Sequence, residues 1–134
     1  MTKIAMEFDL PHPPAKVWRA LTDPKLLEKW LMANDMRPNI GQTFTFKAPP
    51  TQWWDGIVRC KVLESDPNKR LRYSWESAGV DTVVTWTLTP TKSGGTKLAL
   101  EQSGFQPDQA QAFEGARQGW QRMLDELQKV LTRP

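Results

Sequence analysis

Apolar side chains recur with period two in six stretches of this chain and with the helical period of about 3.6 in three others. In the first stretch Ile4, Met6, Phe8 and Leu10 alternate with polar or small residues, as in a half-buried strand. The period then lengthens. Val17, Trp18 and Leu21 form the buried edge of a short helix opened by Pro13 and Pro14, where a missing N–H is no loss. Asp23-Pro24 reads as N-cap and first residue of a second short helix offering Leu27, Trp30 and Leu31.

Gly41 opens a run of five strands. Phe44 and Phe46 alternate with threonines and a lysine, and Pro49-Pro50 breaks the ladder at a hairpin tip. Val58, Cys60 and Val62 share one face of the next strand, with Arg59 and Lys61 on the other. After the turn Asp66-Pro67-Asn68 come Leu71, Tyr73 and Trp75, then Val84, Trp86 and Leu88 against threonines. The turn Lys92-Ser93-Gly94-Gly95 leads to Leu98 and Leu100. The chain ends in a long amphipathic helix. Trp120, Leu124, Leu127 and Leu131 lie in one stripe, with Phe113 further back.

Short connections between successive strands make the sheet antiparallel. The predicted fold class is α+β: a six-stranded sheet, two short helices after the first strand, and a long C-terminal helix. That helix alone is long enough to cover the apolar face. Gly115 and Gly119 each cost it about 1 kcal/mol relative to alanine. Gly119 flanks the stripe and is expected to allow close approach to the sheet or a bend, whereas Gly115 points away and has no packing role.

With 134 residues the chain is read as one domain, residues 1–134. No apolar run approaches the roughly 20 residues of a membrane span, and MTKIAMEFDL lacks the features of a secretory signal. The expectation is a soluble cytoplasmic protein with no membrane insertion. The net charge is +3, but acidic and basic residues are interleaved without a basic stripe, so no nucleic-acid partner is expected. One cysteine excludes an internal disulfide, and one histidine, His12, lacks the companions a metal site needs. The seven tryptophans change the picture most, being a heavy loading of the side chain that buries the largest area.

Five stretches carry a resemblance: PxxVWRALTDPxxLxxW at 14–30, DG at 55–56, ESDPNKRLRYSW at 64–75, SGGTKLALEQSGF at 93–105 and GWxxxLxxL at 119–127. Together they resemble the START-like (SRPBCC) superfamily, in the branch named after the C-terminal domain of the heat-shock-protein-90 ATPase activator. The resemblance implies a helix-grip fold, in which a curved sheet wraps around the last helix and leaves a cavity. In relatives that cavity takes lipids, sterols or polyketide-like molecules. QSGF stands here where relatives often carry an HxGF-like sequence, which removes a titratable group at Gln102.

The expected cavity lining is Trp30, Phe44, Phe46, Tyr73, Trp75, Trp86, Leu100, Gln102, Phe113 and Trp120. An empty apolar void costs about 24 cal/mol per Å³, so 300 Å³ would cost on the order of 7 kcal/mol. A domain with about 5–15 kcal/mol in hand would hardly keep such a void without use. The tryptophans are therefore expected to line a chamber rather than plug it, with the Trp120 and Phe113 end of the helix acting as its lid. Tyr73 and Gln102 are the inward polar groups, placed to orient a ligand hydroxyl or carbonyl. The functional expectation is non-enzymatic binding of a small hydrophobic molecule, without cofactor or metal, by a monomer or homodimer. Two alternatives stand beside it: an enzyme using the same cavity, or a co-chaperone that contacts a chaperone ATPase.

Overall fold

The computed structural model describes residues 3–52 and 54–132. Strand β1 (Lys3–Leu10) leads into helices α1 (Pro14–Thr22) and α2 (Pro24–Trp30). Asp23 caps α2, its side chain accepting the Lys25 N–H at 2.9 Å, with Pro24 behind it as the first helical residue. The strands β2 (Ala33–Asn34), β3 (Thr43–Lys47), β4 (Ile57–Asp66), β5 (Arg70–Ser77), β6 (Val80–Pro90) and β7 (Thr96–Ser103) follow. A short 3₁₀ turn, Pro107–Gln109, precedes helix α3 (Ala110–Thr132).

All neighbours in the sheet are antiparallel, in the order β1-β7-β6-β5-β4-β3-β2. The sheet therefore has seven strands rather than six. The additional one, β2, pairs Ala33 with Lys47 and Asn34 with Phe46. Two residues are too few to show a period, which is why the pattern missed it.

Turn chemistry fixes the register. Asn68, at φ 67°, closes the β4–β5 hairpin, with the Lys69 N–H on the Asp66 carbonyl at 2.9 Å. Ala78 (φ 52°) and Gly79 (φ 79°) form the two-residue β5–β6 turn, whose positive φ angles match the strand twist. In β4 the register shifts between Val62 and Glu64, and Leu63 is the extra residue. Leu63 points outward, following the inward Val62, and is 43% exposed.

The inward faces then meet α3. Val58, Val62, Leu71, Val84, Trp86 and Leu98 are at most 1% exposed, as are Leu124 and Leu127 of the helix. Both α1 and α2 pack on α3.

Candidate functional site

Nearly every aromatic ring of the inner face touches another. Trp30 meets Trp86 edge-on with centroids 6.0 Å apart, and Trp86 meets Trp120 in the same way at 5.4 Å. Trp120 continues to Trp75, and Trp75 to Phe46, each at 5.4 Å. Phe46 and Tyr73 both pack on Phe44, at 5.4 and 5.3 Å. Such pairs add about 0.5–1.5 kcal/mol each beyond the area they bury. The polar handles are also taken: Trp30 Nε1 donates to the Ala20 carbonyl at 2.9 Å, and Trp86 Nε1 to the Tyr73 hydroxyl at 3.0 Å. Burial pushes the Tyr73 phenol well above its usual range.

This packing locates most of the expected lining residues. Trp30, Phe44, Phe46, Tyr73, Trp86, Leu100 and Trp120 lie in closed packing, each at most 3% exposed. Trp120 fills the space beneath itself by standing between Trp75 and Trp86. Phe113 packs edge-on against Phe105 at 5.3 Å. Strand parity tells which face a side chain takes, but not how closely the helix presses on it.

A groove of about 790 Å³ opens beside this core, between the β5–β6 end of the sheet and the first half of α3. Trp75 and Gln102, of the expected set, stand on its wall. The helix side is made by Ala112, Gly115, Ala116 and Met123, and the sheet side by Val58, Val80 and the hairpin residues Ser77 and Ala78. Met32, Trp54 and Phe105 complete the apolar lining, with Gln111 exposed at the mouth.

The space exists because that flank of α3 carries small side chains. A Cβ placed on Gly115 would meet nothing within 4 Å. Gly115 thus borders the groove, a role that its angle away from the apolar stripe concealed. Gly119, by contrast, makes no close approach: a Cβ there would meet only Met123 Cε, at an ordinary 3.8 Å. The expectation that Gly119 lets the helix approach the sheet is corrected on this point.

Gln102 is the buried polar group of the groove, 2% exposed. Its Oε1 accepts from Trp120 Nε1 at 2.7 Å, and its Nε2 donates to Thr82 Oγ1 at 2.9 Å. Thr82 Oγ1 in turn donates to the Trp75 carbonyl at 3.0 Å. Gly104, at φ 110°, lets β7 leave the sheet just after this group. A Cβ there would sit 3.0 Å from the Asp81 carbonyl oxygen, which accounts for the glycine of QSGF.

Among the described residues no titratable side chain stands on the groove wall. Cys60 is buried in β4, and burial raises its thiol pKa far above the ordinary value. His12 lies beside Lys16, and burial followed by that positive charge lowers its pKa. Among the described residues no three His, Cys, Asp or Glu side chains gather as a metal site. None of the described helices is long and apolar enough to cross a membrane. Trp53, the remaining tryptophan, lies outside the described residues.

Comparison with known proteins places the chain among structural relatives. The family described as Activator of Hsp90 ATPase homolog 1-like protein matches residues 11–132. The crystal structure of protein MLL2253 from Mesorhizobium loti is 44% identical, with a TM-score of 0.90 over 98% of this chain and 97% of that one. Protein CV1439 from Chromobacterium violaceum is 28% identical, with a TM-score of 0.81 over 99% of both chains. The solution structure of the Aha1 dimer from Colwellia psychrerythraea, 22% identical with a TM-score of 0.81 over 98% and 96%, shares the fold. Among curated proteins none matches significantly.

Proposed function

The chain belongs to the family of proteins like activator of Hsp90 ATPase homolog 1, and from that premise we propose that it binds a small hydrophobic molecule in the groove between sheet and α3. One observation carries this reading. The core behind Trp75 is filled ring against ring, yet the groove beside it is walled by Trp54, Trp75, Phe105 and two methionines and presents a mainly apolar surface. An apolar concavity with a single buried polar group is the usual form of a small-molecule site.

Trp75 and Trp54 supply faces for stacking an aromatic or polycyclic ligand, and Met32 and Met123 adapt to its outline. That none of the described wall residues is titratable favours binding over acid–base turnover, because proton transfer needs a group whose pKa suits the task. At about 0.3 kcal/mol per heavy atom, a ligand of about 15 heavy atoms would gain roughly 4.5 kcal/mol, a sub-millimolar Kd.

The test is calorimetric titration with neutral aromatic and polycyclic probes, repeated on Ala112→Phe and Gly115→Leu, which fill the groove from the helix side. Saturable binding by the wild type that both variants lose supports the reading. Binding that survives both substitutions places the ligand elsewhere, and no saturable binding by any probe removes the proposal.

A further inference from the structure

We propose that the ligand of this groove is uncharged and presents a hydrogen-bond acceptor, such as a carbonyl oxygen or an aromatic ring nitrogen, to the side-chain amide of Gln102. This inference rests on the groove reading above and narrows it by chemical class.

The hydrogen-bond directions around Gln102 are forced. An indole N–H can only donate, so the amide oxygen must face Trp120 and the amide nitrogen must face Thr82. Thr82 Oγ1 therefore accepts from Gln102, and its own proton goes to the Trp75 carbonyl, which can only accept. A primary amide carries two N–H groups, and the one to Thr82 accounts for the first. Among the described residues the second has no hydrogen-bond partner, on a side chain that is 2% exposed and stands on the groove wall. A buried N–H left unpaired is rarer and less tolerated than a carbonyl oxygen holding one of its two lone pairs in reserve. The unmet need of the wall is therefore for an acceptor.

The other polar groups of the wall are occupied or wet. Trp54 Nε1 and Ser77 Oγ both donate to the Ile57 carbonyl, at 3.4 and 3.5 Å, and Gln111 is exposed to water. None of the described residues on the wall is ionisable. A carboxylate or ammonium taken into the groove would lose its hydration without meeting an opposite charge.

Three probes on one naphthalene frame test this on the wild-type protein by calorimetry: 2-acetylnaphthalene, 2-ethylnaphthalene and 2-naphthoate. The ketone is expected to bind about fivefold more tightly than the hydrocarbon, the worth of one neutral hydrogen bond. The carboxylate is expected to bind at least about tenfold more weakly than the ketone. Gln102→Met, which keeps length but loses the N–H, should abolish the ketone's advantage over the hydrocarbon, bringing the two to equal affinity. Should that variant not fold, the wild-type ranking decides alone. Hydrocarbon or carboxylate binding as tightly as the ketone overturns the acceptor proposal while leaving the groove reading intact. If no probe binds, both readings fall together.

Discussion

The indole N–H of Trp120 donates to Gln102 Oε1 at 2.7 Å, joining the middle of α3 to β7 with both residues 2% exposed. Through Thr82 the same amide reaches β6, so one side chain ties the covering helix to two adjacent strands. Trp120→Phe keeps the stacking on Trp75 and Trp86 but leaves the amide oxygen without its donor. A loss of about 1–3 kcal/mol in urea unfolding is expected, and a similar loss for Gln102→Leu, which orphans the indole N–H. In the double variant neither group remains unpaired, so its loss should fall short of the sum of the two single losses. Additive losses would show that the bond contributes nothing of its own.

The glycines separate into two kinds. Gly119→Ala should raise stability by about 1 kcal/mol, since the new methyl meets only Met123 at an ordinary distance. Gly56→Ala should be severely destabilising: its φ is 79°, and a Cβ would fall 2.2 Å from the Ala48 carbonyl oxygen. Thermal melts of the two variants, expected to move in opposite directions, check both statements.

Ala78 holds a φ of 52° in the β5–β6 turn, where a Cβ is unfavourable by about 1–2 kcal/mol. Ala78→Gly relieves that strain, and a Cβ-less residue at the groove mouth keeps the groove open. The expected outcome is a higher melting temperature with ligand affinity unchanged, read from melting and titration of the same sample.

Stability should fall in alkali. The Cys60 thiol and the Tyr73 phenol ionise at ordinary values of 9.0 and 10.0 when unfolded, whereas burial raises both pKa values in the folded protein. Their contribution is fully present below pH 9 and is lost as the unfolded chain begins to ionise while the folded one does not. Each group then costs about 1.4 kcal/mol per pH unit. Cys60→Ala should flatten the decline that begins near pH 9, and Tyr73→Phe the part beginning near pH 10, in unfolding free energies measured from pH 7 to 11.

The architecture was legible because its elements are long enough to carry a period. Val84, Trp86 and Leu88 point inward as their alternation requires, and the stripe from Trp120 to Leu131 faces the sheet. Gln102 was legible by parity too, and its place on the groove wall follows from that inward turn. Strand β2 was not legible, because two residues cannot alternate measurably. Trp54 and Met32 escaped for a related reason, since both lie in irregular segments where no repeat points to a face. Gly115 was conspicuous as a helix glycine. Its place beside the groove depends on how far the β5–β6 hairpin stands from α3, a distance that no local pattern encodes.

The indole N–H resonances of the ¹⁵N-labelled protein, followed during titration with 2-acetylnaphthalene, test most directly where a ligand sits. Trp54 and Trp75, whose rings stand on the groove wall, should shift saturably, while Trp30 and Trp86, locked behind them by their bonds to Ala20 and Tyr73, should stay in place. Shifts centred on Trp86 and Trp30, or no saturable shift at any indole, would contradict the groove as the binding site.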